Sequence, residues 1–281
     1  MNLERPDITV VVRTSGRARC YLDRALASIR AQTYWPAQVI ISDDTGTGVA
    51  PMEGELPVAW LARPPNELPH RSKALNRAIL QVVTPWVAFL DDDDTWAPCF
   101  LEQMGAAAAA RFSSHEIGAL CCRTEAHYED EIEGRLVELG QEPFNPNLVE
   151  ITLARLVGQN LFTNNAVLWR REIFARVGGY REDIQVLEDW EFNVRVCRRY
   201  SLAVLPQTLA HYHQRPRMTG RQEANSSKHQ HDAVLAQLAQ EWRAAGLLPP
   251  DRGWPWLRNR WREVRHHWAR RRFAKRWGRP S

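Results

Sequence analysis

Four consecutive carboxylates, Asp91 to Asp94, come directly after the apolar run Trp86 to Leu90. Adjacent negative charges repel one another, so a folded chain needs a positive species beside them. Ligands of open α/β sheets bind beyond the carboxyl ends of the strands, and the acids begin where a predicted strand ends. Carboxylate oxygens suit Mg²⁺ or Mn²⁺, which often bridge phosphates. The run therefore predicts a site for a hard divalent cation.

Two smaller acidic pairs occupy similar positions. Asp43 and Asp44 follow a second apolar run, and Glu188 and Asp189 open a predicted helix. The alternative interpretation is capping, because Asp94 or Thr95 suits a helix N-cap, and the helix dipole favours Asp189 in a first turn. A cap uses one side chain only, so capping does not account for four acids in a row.

The elements that would position these acids alternate between strands and helices. Apolar, β-branched runs predict buried strands, and helical spacing of apolar residues, as at Leu22, Leu26 and Ile29, predicts helices between them. The predicted strands of this part are Ile8–Val12, Val39–Ile41, Val58–Leu61, Trp86–Leu90 and Ile117–Cys122. The alternation predicts an α/β fold with a mainly parallel sheet.

The second half of the chain is less regular. Residues 125–141 are predicted as a hairpin or a loop over the sheet. A strand is predicted over Asn165–Trp169, and another over Leu209–His213, where His211 and His213 share one face. The predicted helices lie near Arg171–Arg176, over Trp190–Arg199 and over Asn225–Ala245.

Composition limits the class of protein. The 281 residues are 44% hydrophobic and 25% charged, as in ordinary globular domains. No run approaches the ~18 apolar residues of a membrane span, and the N-terminus has no signal-peptide pattern. Five cysteines without a CxxC spacing indicate reduced thiols in the cytosol.

The basic charge is concentrated at the C-terminus. Residues 252–281 carry a net charge of +10 within a chain of net charge +4, so the preceding 251 residues carry −6. Leu257, Trp261, Val264 and Trp268 recur at helical spacing among arginines. This pattern predicts an interfacial helix on an anionic membrane. The alternatives are a helix docked on the rest of the chain and a nucleic-acid-binding tail.

Over roughly residues 5–215 the sequence resembles the family 2 glycosyltransferases. The matching stretches are ITVVVRTSGR, VIISDDTG, WVAFLDDDDTWAPCFLE and FTNNAVLWRREIFARVGGYREDIQVLEDWEFNVRV, in the order of the family. The resemblance implies the GT-A fold, a Rossmann-like sheet flanked by helices. It divides the chain into a catalytic domain, 1–222, and a basic helical region, 223–281.

The resemblance also implies roles for particular residues. Asp189 would be the catalytic base, with Glu188 beside it. Asp91 and Asp93, the ends of the DxD motif, would ligate Mn²⁺ or Mg²⁺ together with His213. The donor-binding residues would be Thr14, Arg17, Asp43 or Asp44, Arg71, Lys73, Asp91 and Asp92.

The sequence departs from the family pattern before the second predicted helix. Leu75 stands where the family usually has Arg, so Arg71, Lys73 and Arg77 all remain candidates for the donor. Trp96 and Trp190 lie beside the acidic motifs, where an aromatic ring can stack on a sugar or base.

The resulting prediction is an inverting, metal-dependent transfer of sugar from a nucleotide-diphosphate sugar, with a UDP-sugar favoured, to a cell-surface glycan or lipid-linked acceptor. The enzyme is expected on the inner face of the membrane. One alternative is a nucleic-acid-binding protein that uses the Arg/Trp tail, although nucleic acid is the less favoured partner. Another is a nucleotidyltransferase, whose expected glycine-rich loop is poorly matched by Arg13–Arg17.

Overall fold

The structure is a computed structural model that describes residues 6–46, 56–111, 116–132, 135–215, 228–249 and 257. Within these ranges, no helix is both long enough and apolar enough to cross a bilayer. The apolar stripe predicted in the basic tail lies outside the described residues from Trp261 onward. Its first member, Leu257, is fully buried in the main hydrophobic core.

Strands and helices alternate along the first half of the chain, as the sequence predicts. The strands are β1 (Ile8–Thr14), β2 (Gln38–Asp43), β3 (Val58–Ala62), β4 (Trp86–Asp91), β5 (Thr95–Trp96), β6 (Ile117–Ile132), β7 (Arg135–Pro143), β8 (Val167–Arg170) and β9 (Ser201–Gln214). The helices are α1 (Arg19–Arg30), α2 (Arg71–Ile79), α3 (Phe100–Arg111), α4 (Leu153–Gly158), α5 (Glu172–Val177), α6 (Glu188–Cys197) and α7 (Lys228–Ala244).

One mixed sheet organises the described part of the chain, in the order β3-β2-β1-β4-β8-β6-β9-β5, with β7 paired to β6. Strands β3, β2, β1 and β4 are mutually parallel, and β6 is parallel to β9. Strand β8 runs antiparallel to both of its neighbours. The carboxyl ends of β1, β2 and β4 therefore meet at one edge, where Thr14, Asp43 and Asp91 lie.

The second half is where the structure differs most from the predicted elements. Residues 125–141 form a hairpin, because β6 continues to Ile132 and pairs with β7. The strand predicted from Asn165 begins only at Val167, after a short 3₁₀ turn at Asn164–Ala166. Strand β9 starts at Ser201, since it follows β6 over most of its length.

Aromatic side chains support the start of α6. Phe174 stacks on Phe192 with ring centroids 4.9 Å apart, and Tyr180 contacts Phe192 at 4.8 Å. Trp190 is fully buried, donates from Nε1 to the Leu156 carbonyl at 2.6 Å and packs on Trp242 of α7. Trp190 is thus a core residue and is not available to stack on a sugar.

Trp96 is also a core residue. Its ring stacks on Phe100 at 4.3 Å, and its Nε1 donates to the Asn165 carbonyl at 2.7 Å. Only 3% of the residue is exposed. The expectation that Trp96 or Trp190 stacks on a ligand is therefore wrong, because packing around the acidic motifs already encloses both rings.

Candidate active site

Arginines are the positive species that the acidic run holds in the described structure. Arg13 of β1 donates from Nε to Asp91 Oδ1 at 2.9 Å. Arg17, in the loop after β1, forms ion pairs with Asp92 and, at 3.4 Å, with Asp93. The counter-charge thus comes from the β1–α1 segment, which lies beside β4 because the two strands are parallel neighbours.

Asp92 fixes the loop between β1 and α1. Its Oδ2 accepts hydrogen bonds from Thr14 Oγ1 at 2.8 Å and from the Ser15 backbone amide at 3.0 Å, and its Oδ1 accepts one from Arg17. The side chain is buried, with 1% exposure. Asp92, the middle residue of the DxD motif, is therefore a structural acceptor that orients Thr14 and Arg17.

Asp93 belongs to a buried ion network. It accepts a hydrogen bond from Arg215, and Arg215 also donates to Glu129 at 2.8 Å. Arg24 donates to the Asp93 carbonyl at 2.9 Å and pairs with Glu129. Burial would raise the pKa of Asp93, but Arg17 and Arg215 outweigh it and hold that pKa below its usual range. Asp93 is therefore ionised and largely neutralised by guanidinium groups.

His213 and Asp94 complete this network. Asp94 accepts the His213 backbone amide at 3.0 Å, and burial, followed by repulsion from Asp93, raises the pKa of Asp94 well above its usual range. His213 Nδ1 lies 3.0 Å from Glu129, and its Nε2 lies 3.0 Å from Thr95 Oγ1. Both ring nitrogens are thus engaged, so His213 as placed here offers no nitrogen to a metal.

The donor set fits a hard divalent cation at the two ends of the DxD motif. Asp91 is 27% exposed at its side chain and uses only Oδ1 for Arg13. Asp93 uses Oδ2 for both of its arginines. Within the described ranges, the structure gives no polar partner to the other oxygen of either carboxylate. One oxygen from each is therefore compatible with the predicted metal, and His213 is not part of that set.

A cavity of about 150 Å³ opens at the carboxyl ends of β1 and β2. Its lining includes Thr14, Gly16, Arg17, Asp43, Thr45 and Trp60. Asp43 Oδ1 accepts the Thr45 backbone amide at 2.8 Å, whereas Asp44 is buried and accepts the His70 amide at 2.9 Å. Of the two candidates for a nucleotide base, Asp43 faces the cavity and Asp44 fixes the start of α2.

The second acidic pair begins α6 after an unusual turn. Leu187 has φ = 62°, the left-handed region, and is the one non-glycine residue with positive φ in the described ranges. Such a conformation costs on the order of 1–3 kcal/mol and is typical of functional sites. Glu188 directly after it is buried and accepts from Arg71 at 3.2 Å. Arg71 is therefore committed to Glu188, and 32% of its side chain faces solvent.

Asp189 has the electrostatics of a base. Its Oδ1 accepts the Trp190 amide at 2.7 Å, and its Oδ2 accepts Asn160 Nδ2 at 3.3 Å. Burial, followed by the charge of Glu188, raises the pKa of Asp189 to about 6. Glu188, Asp91 and Asp189 all raise the pKa of Arg71, so the DxD end and the α6 acids face the same space.

A clamp from α2 holds the segment that leads to α6. Asn76 Oδ1 accepts the Tyr180 amide at 2.8 Å, and its Nδ2 donates to the Tyr180 carbonyl at 2.8 Å. A Cβ on Gly179 would overlap the Asn76 amide, and Gly178 has φ = 83°. The two glycines are thus required by close approach and by backbone conformation. Tyr180 then places its hydroxyl 3.2 Å from Asn164 Oδ1.

Lys73 and Arg77 are the remaining basic candidates, and both lie on α2. Arg77 pairs with Glu67 at 2.5 Å, and Lys73 is half-buried on α2. The sequence reasoning missed Arg24, Asn76, Glu129, Asn160 and Arg215. The motif pattern did not single these residues out, and only the paired strands and helices bring them to the site.

Comparison with known proteins finds a matching family and a curated relative. Residues 6–231 match the family described as glycosyltransferase-like family 2. An uncharacterized glycosyltransferase of Bacillus subtilis, YwdF, is 25% identical over 207 residues, which cover 71% of each chain.

Solved structures share the fold. The S. aureus protein TarS, residues 1–349, in complex with UDP-GlcNAc has a TM-score of 0.59 at 18% identity, covering 95% of this chain and 75% of that one. The mannosyltransferase PcManGT of Pyrobaculum calidifontis, in complex with GDP-Man and Mn²⁺, has a TM-score of 0.57 at 20% identity, covering 94% and 71%. Both likenesses support the α/β architecture described above.

Proposed function

The chain belongs to the family 2 glycosyltransferases and has the GT-A fold. We propose that this enzyme transfers the sugar of a UDP-sugar to a hydroxyl of a glycan or lipid-linked acceptor. Structural relatives in complex with UDP, UDP-GlcNAc and GDP-Man support a nucleotide-sugar donor. UDP is favoured as the carrier because one of these relatives, TarS, is in complex with UDP and with UDP-GlcNAc. Identifying the nucleotide sugar that the enzyme hydrolyses tests this proposal directly.

Asp189 is the proposed base, and the observation that carries the proposal is its place in the first turn of α6, where both of its carboxylate oxygens are held. A pKa of about 6 lets a carboxylate accept a proton near neutral pH much better than an ordinary Asp would. The Trp190 amide and Asn160 fix both carboxylate oxygens, so the group is oriented before substrate binds. The acceptor hydroxyl would lose its proton to Asp189 and attack in line, which inverts the anomeric centre.

Asp91 and Asp93 would hold a divalent ion, Mn²⁺ or Mg²⁺, which when bound neutralises the charge of the leaving diphosphate. The chain's own contribution is to orient these carboxylates. Arg13 fixes Asp91 through one oxygen, and Arg17 and Arg215 fix Asp93 through one oxygen. These contacts leave the other oxygen of each carboxylate to face the metal.

The cavity beside Asp43 is the proposed base site. Asp43 can accept a ring N–H of a pyrimidine, and Trp60 supplies an aromatic face to the same cavity. Thr14 and Arg17 line it between the base and the acidic run. Arg17 is thus positioned to contact the diphosphate as well as Asp92.

The acceptor is proposed to lie at a membrane, because the basic tail would hold the enzyme to anionic lipid. Ten net positive charges in residues 252–281 support this localisation. Leu257 of this region is buried in the main hydrophobic core, so that side chain itself is not available to lipid.

The deciding experiment is a panel of UDP- and GDP-sugars incubated with the full chain and Mn²⁺ or Mg²⁺, with release of free nucleotide diphosphate as the readout. We expect hydrolysis of a UDP-sugar that chelator abolishes and that Asp91→Asn abolishes. Turnover of a GDP-sugar alone would replace the proposed donor. Release by Asp91→Asn at the wild-type rate would refute the role of the DxD motif.

A further inference from the structure

Glu125, His127 and His211 form a cluster that the proposed transfer reaction does not use. One ligand atom from each of the three lies within 4.8 Å of the others. Glu125 and His127 are on β6, and His211 is on the neighbouring β9, in register with Glu125. Alternate residues of a strand share a face, so the pairing of two parallel strands brings all three side chains together.

The chemistry of the cluster is that of a transition-metal site. Two imidazoles and one carboxylate with a further position open are a ligand set typical of Zn²⁺, whereas Mg²⁺ and Mn²⁺ favour oxygen ligands. Glu125 Oε2 already lies 3.2 Å from His127 Nε2. Ligands of a tetrahedral zinc ion are about 3.4 Å apart, as follows from bond lengths of ~2.0–2.1 Å. The furthest pair, within 4.8 Å, must therefore approach by at most about 1.4 Å for all three residues to bind one ion.

Two further features point to a ligand between these residues. His127 Nε2 is buried and makes no hydrogen bond within the described ranges, although a carboxylate faces it. A buried polar atom without a partner usually has an unseen ligand or water. His211 Nδ1 lies 3.4 Å from Thr95 Oγ1, which leaves its Nε2 as the nitrogen that can bind a metal.

The surroundings also supply outer partners of the kind that orient metal-binding histidines. Glu138 of β7 lies 3.8 Å from His127 Nδ1, the nitrogen on the far side of the ring. Carboxylates in this position fix the tautomer and raise the basicity of a histidine ligand. By contrast, neighbouring His213 has both nitrogens engaged by Glu129 and Thr95. The cluster therefore adjoins the network that holds Asp93, with the rings of His127 and His213 stacked at 5.1 Å, but none of its three members belongs to that network.

We propose that Glu125, His127 and His211 bind a zinc-type transition-metal ion that links β6 to β9, with the fourth position open to solvent. This site is distinct from the DxD motif and does not depend on the proposed sugar transfer. Its consequence is structural, because the ion would fix the β6–β7 hairpin against β9. Thr95, which directly follows the acidic run, contacts His211 at 3.4 Å and so connects the two regions.

The test is metal binding by the full chain without a histidine tag, stripped with chelator and titrated with Co²⁺ and then Zn²⁺. We expect one equivalent of Co²⁺ to give the intense visible absorption of a low-coordinate site and Zn²⁺ to displace it. Glu125→Gln, His127→Ala and His211→Ala should each weaken Zn²⁺ binding by more than the ~10–100-fold typical of an outer partner. Glu138→Gln should weaken it by ~10-fold.

Two controls separate this site from others. Asp91→Asn removes the DxD acid and should leave Co²⁺ absorption unchanged. His231→Ala removes a histidine of α7 outside the cluster and should do the same. Near-UV circular dichroism checks folding, and Glu125→Gln is the conservative variant if His127→Ala does not fold. Absence of Co²⁺ absorption in the wild type, or its persistence in both Glu125→Gln and His211→Ala, overturns the proposal. Its loss in Asp91→Asn also does so.

Discussion

Replacing Asp189 with Asn should abolish transfer and stabilise the fold at neutral pH. Burial and the charge of Glu188 raise the Asp189 pKa from 3.8 to about 6. An acid with a raised folded-state pKa contributes stability that is fully present below the unfolded value of 3.8 and is lost as the pH rises through about 6. The wild-type enzyme therefore carries an electrostatic penalty above about pH 6 that an amide would not carry.

The size of the penalty follows from the pKa values. A rise from 3.8 to about 6 corresponds to about 3 kcal/mol at ~1.36 kcal/mol per pKa unit. Asp189 is half-buried, so solvent screening reduces the expected gain to about 2 kcal/mol. An asparagine side chain fits the site of Asp189. Its oxygen can accept the hydrogen bond from the Trp190 backbone N–H. Asn160 can rotate so that its buried Oδ1, which has no described partner, accepts from the new NH₂ group.

The assay is urea denaturation of both proteins at pH 7.5 and at pH 4, combined with transfer rates and calorimetric donor binding. We expect the variant to be more stable by about 2 kcal/mol at pH 7.5 and nearly equal at pH 4. Transfer should fall by ~10² or more while donor affinity is unchanged, because only proton removal is lost. The wild-type rate should itself decline as the pH falls below about 6.

Glu188→Gln is the matched control. It keeps an acceptor for Arg71 and removes the charge that raises the Asp189 pKa, so the acid limb of the rate profile should move to lower pH. Near-normal transfer by Asp189→Asn would refute its role as base. An equal loss of stability at both pH values would refute the electrostatic reasoning, because it would indicate damaged packing.

Three further predictions concern the surrounding network. Asp93→Ala should lower the free energy of unfolding, measured in urea, by ~3–5 kcal/mol, because it leaves Arg17 and Arg215 buried without their carboxylate partner. Asp91→Asn should change the free energy of unfolding by less than ~1 kcal/mol. Gly179→Ala should destabilise by ~1–3 kcal/mol through overlap with the Asn76 amide, and Asn76→Ala in the same chain should recover part of that loss in a double-mutant cycle. Replacing Arg270, Arg271 and Arg272 by Ser should reduce co-sedimentation with anionic but not neutral vesicles while keeping buried Leu257; equal binding to both would contradict the membrane proposal.

Much of the fold was predictable because its signals are local. A continuous β-branched run such as Ile8–Val12 can only be a strand buried on both faces, and β1 is buried throughout. The acidic run and the Glu188–Asp189 pair were equally visible, since each lies at the end of an element with a clear period. Residues 125–141 are acidic and mixed in sequence, which allows either a hairpin or a loop, and strand β7 of the observed hairpin is largely exposed.

The partners of the acids were decided by tertiary structure. Asp93 pairs with Arg215, which lies 122 residues away in the chain. Glu129 pairs with Arg24, which lies 105 residues away. No residue near Asp93 in the sequence predicts which cation it holds. The sequence predicted a metal ion at Asp93 and did not predict the arginines that pair with it. Likewise, Asn76 and Gly179 meet only because α2 packs beside the turn before α6.

The kind of fold, the family and the acids proposed to carry the chemistry are predictable from the sequence, because strand burial and motif order depend on neighbouring residues. Tertiary structure alone decided the charge state of those acids. Desolvation and ion pairing depend on what lies within a few ångströms in space. At this site those groups come from β1, from β6, from Arg215 directly after β9 and from the first turn of α6. The same reason explains why His213, expected as a metal ligand, is held by Glu129 and Thr95 instead.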